Sequence, residues 1–500
     1  MSLKTILTAL LALWLLAIVR PTECRPDTER VCSVRPLGAG RDDTEQVLRA
    51  IDTCGHGGRV VLEAGSFNIT RKMTWDLRDS RVDVHGVLSF QPDIEYWLNA
   101  TNTYRVVFIQ SQASWFVVTG ENFVIDGHNT GGIDGNGQVV LPNPHPISSP
   151  WWSFFATRTR ADGDGRPISF TLWRTTNALV KDFHIQAQPF WCNTVAESQG
   201  VIYGESPILF HSWVERGPFG GDAGKKGDPV ASTSTDWHDS DADGMKCNAS
   251  NSDPSFAGKN IVPNTDGINT YRSTNVSLLN WDITCGDDCL AIKGNSTDLT
   301  VRNITCRGGN GIAFGSLGQY ANLSDNVRNV DMRDLKMIRI DPNIQPNMGN
   351  GVYFKSWTGT VNGSPPTGGG GGTGVVDNIT ISNVLLDRVN APLHLYQTNG
   401  GHSGDTPSQL KFGGLRFSNW SGTALTNKIV DIECSPAVGC QEVVFEDFSV
   451  AGPQAQAPRF ICQNVRDLSG LGGKFLLPTY IPSLTAHLFA AVPCNSTGSA

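Results

Sequence analysis

The stretch TNVSLLNWDI, from Thr274 to Ile283, is followed by TDLTVRNITC, from Thr297 to Cys306. Each begins with a polar residue, continues with alternating apolar residues, and then has Asn or Asp before another apolar residue. The two copies are 23 residues apart, as measured from Asn275 to Asp298. Short strands that recur with a period in the low twenties indicate a solenoid, whose coils bury their inner faces only by stacking.

Four more copies of this pattern extend the solenoid along the chain. They are TNALVKDFHI from Thr176, RNVDMRDLKM from Arg328, DNITISNVLL from Asp377 and QEVVFEDFSV from Gln441. Leucine-rich repeats have a similar period, but their Leu-Asn consensus is absent, so a single-stranded parallel β-helix fits better. An irregular β-sandwich is the other all-β alternative. The 54 glycines and only 17% charged residues also favour an all-β fold over a helical one.

Two polar stretches interrupt the repeat. The first, residues 204–260, contains HDSDADG, and the second, residues 361–374, contains the glycine-rich PPTGGGGGTG segment from Pro365. Because the repeat resumes after each stretch, neither is a domain linker. We therefore predict one domain over residues 25–500, with a long surface insertion and a flexible loop.

The first 24 residues have the pattern of a secretory signal. Lys4 precedes an apolar run from Ile6 to Val19, which is short for a membrane anchor, the alternative interpretation. Twelve cysteines and eleven Asn-X-Ser/Thr acceptors also indicate a secreted, extracellular glycoprotein. The acceptors are Asn68, Asn99, Asn248, Asn275, Asn295, Asn303, Asn322, Asn362, Asn378, Asn419 and Asn495.

Charge and cysteine spacing exclude other classes of protein. A net charge of −8 without a basic run argues against nucleic-acid binding, and no later segment is apolar enough to cross a bilayer. No C-x-x-C pair or His/Cys cluster suggests zinc, so we expect neither metal nor cofactor. Loss of Cys24 with the signal leaves eleven cysteines, so one thiol is expected to be unpaired. Nothing in the sequence demands oligomerisation, and we expect a monomer.

Three aspartates stand on two neighbouring repeats. Asp266 lies in PNTDGINTYRS, and Asp287 and Asp288 lie in CGDDCLAIKGNST, 21 and 22 residues further on. In a solenoid of this period the three carboxyl groups converge, because adjacent strands stack at about 4.8 Å. Clustered carboxylates raise one another's pKa, which is the arrangement of acid and base that glycoside hydrolysis requires. A calcium site and a solvated acidic turn are the alternatives.

The motifs around these aspartates resemble those of the polygalacturonases, family 28 of the glycoside hydrolases. NTDG, GDDC and GIAFGSLGQY occur in that family's order, and GGIDGNGQ, Trp151-Trp152 and RPISF lie upstream. The resemblance runs from about Gly38 to at least Gly400, and NTDGINTYRS and GSLGQY are most similar to fungal exo-acting members.

This resemblance implies a right-handed parallel β-helix and hydrolysis with inversion at the anomeric carbon. It implies Asp287 as general acid, with Asp266 and Asp288 activating the water. It also implies a disulfide between Cys289 and Cys306 behind the site, to which the short spacing of the two cysteines is suited. The residues expected to bind substrate are Asn264, Asn310, Tyr353 and Lys355.

Two positions depart from the family pattern. Asn310 replaces the His of Gly-His-Gly, and the segment Tyr353-Phe354-Lys355 replaces Arg-Ile-Lys. Asn310 can form hydrogen bonds but cannot titrate. Tyr353 lacks the bidentate fork with which Arg holds a carboxylate, and it offers a ring face and one hydroxyl, which suit a neutral sugar better.

We therefore predict a secreted, inverting exo-glycoside hydrolase that acts on rhamnogalacturonan or a related pectic chain. The missing Arg favours release of a terminal α-L-rhamnose, whereas the exo-type motifs favour release of a terminal galacturonate, as by a galacturan 1,4-alpha-galacturonidase. The alternatives are an endo-polygalacturonase, a calcium-dependent pectic lyase and a carbohydrate-binding protein without activity. A groove blocked by the insertion at residues 204–260 would count against internal cleavage.

Overall fold

A right-handed parallel β-helix dominates the structure. The computed structural model describes residues 30–138, 151–160, 163–204, 244–251, 253–365, 367–453 and 456–471. The leader at residues 1–24 and most of the insertion at 204–260 lie outside these ranges. Within them, 26 strands join a single sheet, whose ladders are parallel and which winds into coils. Parallel strands connected in this way follow the right-handed sense that strand twist favours.

Each coil contributes strands to three faces, here called sheets 1, 2 and 3. Sheet 1 contains β14 (Asn193–Ala196), β17 (Ile268–Tyr271), β19 (Asp288–Ile292), β21 (Gly311–Leu317), β23 (Asn350–Trp357), β25 (Ala391–Asn399), β27 (Lys428–Glu433) and β29 (Arg459–Gln463). Sheet 2 contains β1 (Arg30–Val34), β2 (Gly58–Leu62), β15 (Gln199–Tyr203) and β30 (Val465–Ser469). Sheet 3 contains β3 (Ser66–Ile69), β5 (Val87–Phe90), β9 (Gly132–Asp134), β13 (His184–Gln186) and β16 (Met245–Asn248).

Longer strands bend from one sheet into the next. Those that join sheets 1 and 2 are β4 (Met73–Val84), β8 (Phe116–Asp126) and β12 (Phe170–Lys181). Those that join sheets 2 and 3 are β18 (Thr274–Thr284), β20 (Ser296–Arg307), β22 (Ser324–Ile338), β24 (Thr373–Val389), β26 (Gln409–Ala424) and β28 (Cys440–Ala451). Continuous bent strands explain why the repeat pattern spans ten residues.

The repeated Asn and Asp residues form the bends of the coil. Asn275 and Asn280 in one repeat, and Asp298 and Asn303 in the next, all have left-handed backbone angles, with φ between +53° and +58°. Asn and Asp tolerate this conformation better than other residues with a side chain. The amide of Asn303 also donates to Oδ1 of Asn280 on the preceding coil at 3.0 Å. The polar positions of the repeat thus both turn the chain and join adjacent coils.

The core lies between the three sheets and is rich in stacked aromatic rings. The rings of Phe314 and Phe354 lie on successive coils of sheet 1 with centroids 4.5 Å apart. The amphipathic helix α1 (Thr44–Cys54) covers the first coil and buries Val47 and Ile51 against it. A terminal cap of this kind is needed because an open first coil would expose its apolar interior to water.

The remaining elements lie outside the coils. They are α2 (Ile94–Leu98), α3 (Trp151–Ala156), the 3₁₀ helices at Ala100–Asn102, Ile109–Ser111 and Pro254–Phe256, and two antiparallel hairpins, β6 (Tyr104–Val107) with β7 (Gln112–Ser114) and β10 (Thr159–Arg160) with β11 (Gly163–Asp164). None of the helices in the described ranges has the length and apolarity needed to span a membrane.

The two predicted insertions differ in how much of them is described. Within residues 204–260, the end of the stretch contains β16, which pairs with β13 and β18 as part of the coil wall. Residues 205–243 lie outside the described ranges. In the second stretch, an isolated antiparallel bridge joins Asn362 to Gly369, and the Asn362 amide donates to the carboxylate of Asp405 at 2.9 Å.

Candidate active site

The three predicted aspartates lie together at the start of two adjacent strands of sheet 1. Strand β17 pairs with β19 in a register that places Ile268 beside Leu290, an offset of 22 residues. Continued two residues back, this register places Asp266 beside Asp288, whereas the sequence spacing had suggested Asp287. Asp287 precedes β19 by one residue and lies beside the turn that contains Asn264. The strand register therefore brings together all three carboxyl groups that the sequence indicated.

Asp287 is held by hydrogen bonds to both of its carboxyl oxygens. Oδ1 accepts from the Asn310 amide and from the backbone N–H of Asp288, both at 2.8 Å. Oδ2 accepts from Asn264, from its amide at 2.9 Å and its backbone N–H at 3.2 Å. Burial and the neighbouring Asp288 raise the pKa of Asp287 to about 6, against the opposing effects of Lys355 and these donors. The group is therefore tuned to hold a proton in mildly acidic solution.

Asp288 has a different set of partners. The hydroxyl of Tyr353 donates to its Oδ1, and Nζ of Lys355 lies 3.2 Å from its Oδ2. Burial and the charge of Asp288 raise the pKa of Tyr353 well above its ordinary value, so its hydroxyl stays protonated as a donor. Asp288 and Asp287 raise the pKa of Lys355 in spite of its burial. Asp288 thus forms an ion pair with an ammonium and accepts a hydrogen bond from a phenol.

Asp266 is the most isolated of the three. It is 4% exposed, and among the described residues no hydrogen bond or ion pair involves its side chain. Burial, and then the charges of Asp287 and Asp288, raise the pKa of Asp266 well above its ordinary value. Like charges that share a site cannot all ionise without penalty, so the cluster retains a proton.

Tyr353 does not offer a sugar the free ring face that the sequence suggested. It is 5% exposed and packs against Ala291 and Ala313, which occupy the same outward row on the two preceding coils. Its hydroxyl is engaged by Asp288 and also accepts from Lys355 at 3.1 Å. The substitution of Tyr for the family Arg therefore supports an aspartate and leaves little surface for a neutral sugar.

A buried arginine, whose position the sequence did not explain, supports Asn264. The guanidinium of Arg166 donates to Asn264 Oδ1 at 2.9 Å and to the carbonyl of Pro263 at 2.6 Å, and it pairs with Asp164 at 2.8 Å. Its central carbon lies 4.8 Å from the ring centroid of Phe190. Arg166 thus orients the amide that holds Asp287.

The turn that carries Asn310 requires glycine. Gly309 has φ +75°, and a side chain there would place its Cβ 2.1 Å from the carbonyl oxygen of Asp287. The backbone N–H of Asn310 donates to that same oxygen at 2.7 Å. The close approach aligns the Asn310 amide with the carboxylate of Asp287, so the Gly-Asn-Gly sequence has a geometric role even without a histidine.

Disulfides reinforce the coils behind the site. Cys289 and Cys306 are bonded, as the resemblance implied, and Cys434 and Cys440 are also bonded. Two further bonds join Cys32 to Cys54 and Cys192 to Cys247. Cys285 is a buried free thiol in the described part of the chain, with Sγ 3.1 Å from the backbone oxygen of Asp287.

A cluster of potential metal ligands lies away from these aspartates. Asp83, Asp126 and His128 come together on sheet 2. Arg81 already pairs with both carboxylates, at 2.8 Å and 2.7 Å, and Arg59 pairs with Asp83 at 2.5 Å. The negative charge is therefore compensated by arginine, and the cluster has the character of a structural ion-pair network.

One end of the outward face of sheet 1 is covered on the N-terminal side of the aspartates. Residues Val106, Val107 and Ile109 of the β6–β7 hairpin belong to the same apolar cluster as Ala196 and Tyr271 of sheet 1. The backbone N–H of Gln110 at the hairpin tip donates to the hydroxyl of Tyr320 at 2.6 Å. We refer to residues 104–114 as the end wall. It packs on the face at Tyr271, five residues along the strand from Asp266.

Comparisons with known proteins agree with this fold. The family model "Glycosyl hydrolases family 28" matches residues 231–471. A protein named "Putative galacturan 1,4-alpha-galacturonidase A" from Aspergillus niger is 35% identical over 463 residues, which cover 88% of this chain and 92% of that protein. The "Alpha-L-rhamnosidase rgxB" of A. niger is 29% identical over 444 residues, with 87% of each chain covered.

Solved structures resemble the fold over most of the chain. The endo-xylogalacturonan hydrolase from Aspergillus tubingensis has a TM-score of 0.63 at 20% identity, covering 94% of this chain and all of that one. The polygalacturonase from Erwinia carotovora has a TM-score of 0.58 at 17% identity, covering 89% of this chain and 98% of that one. The β-helix and its aspartate cluster define a glycoside hydrolase. The chain belongs to family 28 of the glycosyl hydrolases.

Proposed function

We propose that this glycoside hydrolase removes a single terminal sugar from a pectic chain. The observation that carries the proposal is the end wall, which packs on the outward face of sheet 1 at Ala196 and Tyr271, the latter on the same coil as Asp266. A polymer cannot extend past such a wall, so only its end reaches the aspartates. Relatives named galacturan 1,4-alpha-galacturonidase and alpha-L-rhamnosidase support a pectic substrate and an exo mode.

Three carboxyl groups perform the reaction. Asp287, with its pKa near 6, donates a proton to the leaving glycosidic oxygen. Asp288, whose charge is compensated by Lys355 and Tyr353, accepts a proton from the attacking water. Asp266 holds that water from the adjacent coil. A single displacement by water inverts the anomeric carbon, as the family resemblance implies.

The four predicted substrate-binding residues divide into two roles. Asn264 and Asn310 contact Asp287 directly and orient it, and Lys355 and Tyr353 contact Asp288. In the structure, all four side chains form hydrogen bonds with Asp287 or Asp288. Lys355 retains one donor for a sugar hydroxyl or carboxylate, because its ammonium has three protons and Asp288 and Tyr353 accept two of them.

Rhamnose and galacturonate are the two candidates for the terminal sugar. The loss of the family Arg predicts rhamnose, and the relative named alpha-L-rhamnosidase is compatible with it. The burial of Tyr353 weakens the premise that this position presents a ring face to a neutral sugar. The relative named galacturan 1,4-alpha-galacturonidase is compatible with galacturonate.

We also propose that the enzyme acts outside the cell as a monomer. The signal-like leader, the sequons and four disulfides in the described residues support export to an oxidising compartment. Nothing in the sequence requires a second copy of the chain.

Product analysis tests the proposal. The purified protein is given oligogalacturonates and rhamnogalacturonan oligomers that end in rhamnose or in galacturonate, and released sugars are followed by chromatography. We expect one monosaccharide to be released from the first minutes of the reaction, while the remaining chain becomes shorter by one sugar at a time. A ladder of internal fragments would show endo cleavage, and an unsaturated product would show a lyase; either result would overturn the proposal.

A further inference from the structure

Lys293 is a buried cation beside the aspartates that the reaction scheme above does not use. It directly follows β19, so on sheet 1 it lies between the coil of Tyr271 and the coil of Lys355. Its side chain faces outward, since its Nζ lies 4.6 Å from the ring centroid of Trp191, a member of the cluster under the end wall. The residue is 4% exposed.

This ammonium has no hydrogen-bond or ion-pair partner among the described residues. No hydrogen bond or ion pair of the structure involves its Nζ, whereas the neighbouring Lys355 is paired with Asp288 at 3.2 Å. A charge held largely out of water without a hydrogen-bonding partner is unfavourable, and a ligand that supplies an acceptor there removes the penalty. Burial accordingly lowers the pKa of Lys293, while Asp266 opposes this effect.

Among the carboxyl groups, Asp266 has the largest charge effect on the pKa of Lys293. It does not, however, form a hydrogen bond or ion pair with the ammonium. The two groups form no ion pair, and burial raises the pKa of Asp266 toward the neutral acid. Among the described residues, no carboxylate forms an ion pair with Lys293, whereas Lys355 is already paired with Asp288. A ligand carboxylate could therefore pair with Lys293 without displacing a carboxylate of the protein.

The position of Lys293 identifies the sugar it would meet. It lies one coil beyond Tyr271 and contacts Trp191, and both of these residues belong to the apolar cluster that contains the end wall. The sugar in this space is the terminal one, next to the bond that Asp287 protonates. A galacturonate residue carries a carboxylate there, whereas a rhamnose residue carries a methyl group that would leave the ammonium unpaired.

Resting on the proposed function, we propose that Lys293 binds the carboxylate of the terminal sugar and makes the enzyme selective for a terminal uronic acid. Trp191 restrains the lysine chain by contact with its ammonium, so little conformational freedom is lost when the carboxylate binds. Gly315 lies on the next coil, in the same row as Lys293. It has no side chain that could obstruct a sugar carboxylate between Lys293 and Lys355.

The test compares two substrates that differ only in the carboxylate. Wild-type protein and Lys293→Met are given an oligogalacturonate and the same oligomer with its terminal carboxyl group reduced to the alcohol. Met keeps the length and apolar contact of the lysine chain and removes the charge. We expect kcat/KM of the variant to fall about 100-fold on the carboxylate substrate and less than about three-fold on the reduced one.

Two further variants make the result specific. Lys411→Met removes an exposed lysine on β26 and is expected to leave both rates unchanged. Lys293→Arg keeps the charge and is expected to restore at least part of the preference for the carboxylate substrate. Thermal unfolding of each variant confirms that it is folded before its rates are compared.

If Lys293→Met lowered kcat/KM equally on both substrates, the inference would be overturned, since the lysine would then act only through Asp266. So would an unchanged preference, or a wild-type enzyme that releases rhamnose and not galacturonate. In each of these cases single-sugar release, and with it the proposed function, would stand. Failure of the wild-type protein to release a single sugar from any pectic oligomer would instead overturn the proposed function.

Discussion

The side-chain amide of Asn310 donates a hydrogen bond to Oδ1 of Asp287 across 2.8 Å. The amide occupies the place that a histidine has in the family pattern, but it carries no charge at any pH. It therefore favours the ionised form of Asp287 by hydrogen bonding alone, and to a smaller extent than a protonated imidazole would. Burial and Asp288 outweigh it, which leaves the pKa of Asp287 at about 6.

This relationship predicts the pH dependence of activity. Because the protonated form of Asp287 is the active acid, kcat/KM of the wild type should decline above about pH 6. Replacing Asn310 by Ala removes a donor to the carboxylate, which raises the pKa of Asp287 and moves the decline upward by about one pH unit. Asn343→Ala, at an exposed loop position, should leave the profile unchanged. A downward shift in Asn310→Ala would contradict this assignment.

The phenol of Tyr353 should matter for turnover more than for binding. Tyr353→Phe keeps the ring that packs on Ala291 and Ala313 but removes the donor to Asp288. We expect kcat to fall about 10- to 100-fold with little change in KM, because the base loses its orientation. Tyr396→Phe, one coil further on, removes a hydroxyl that donates to none of the aspartates and is the matched comparison. A rise in KM alone would assign Tyr353 to sugar binding.

The end wall should control where the chain is cut. Tyr320→Ala removes both the hydroxyl that accepts from Gln110 and the ring that contacts Phe108 at 5.9 Å. The hairpin tip is then free to move off sheet 1, so an oligomer capped at the end that the wild type attacks should gain at least ten-fold in cleavage rate. Tyr320→Phe keeps the ring contact and should remain close to wild type. If capped oligomers stay inert with Tyr320→Ala, the wall is held by other contacts.

Much of the architecture can be predicted from the repeat. Every copy of the pattern has Asn, Asp or Glu at its second and seventh positions, such as Asn378 and Asn383, and these adopt left-handed angles at the bends. The period and these residues are local properties, so a single sequence reveals them. The end wall is different, because its contact between Gln110 and Tyr320 spans 210 residues and leaves no local pattern.

The site shows the same division. Asp266, Asp287 and Asp288 were predictable because the repeat period stacks them, although the exact register required the observed pairing of Ile268 with Leu290. Lys293 was missed in spite of a usable signal, since alternation along β19 places it on the outward face with Ala291. The role of Arg166, which lies in the RPISF motif, could not be predicted from the sequence. It depends on a contact with Asn264, which is 98 residues further along the chain.

The disulfide behind the site should contribute to stability and not to chemistry. Cys289 and Cys306 are 17 residues apart, and closing a loop of that length stabilises the folded state by about 3 kcal/mol in the chain-entropy account. The double variant Cys289→Ser, Cys306→Ser should unfold at a lower temperature by several degrees, while its kcat at 25 °C stays within a few-fold of wild type. A loss of kcat in a variant shown to be folded would mean that the bond also positions Asp288.

The most direct test of the central claim, that these aspartates hydrolyse a terminal glycosidic bond, is the turnover of Asp287→Asn on the oligomer that the wild type degrades. Asn keeps the shape of the side chain but can no longer donate the acidic proton. If Asp287→Asn unfolds at a temperature close to that of the wild type, we predict that its kcat is about 100- to 10,000-fold lower. A folded Asp287→Asn that retains activity within ten-fold of wild type would contradict it.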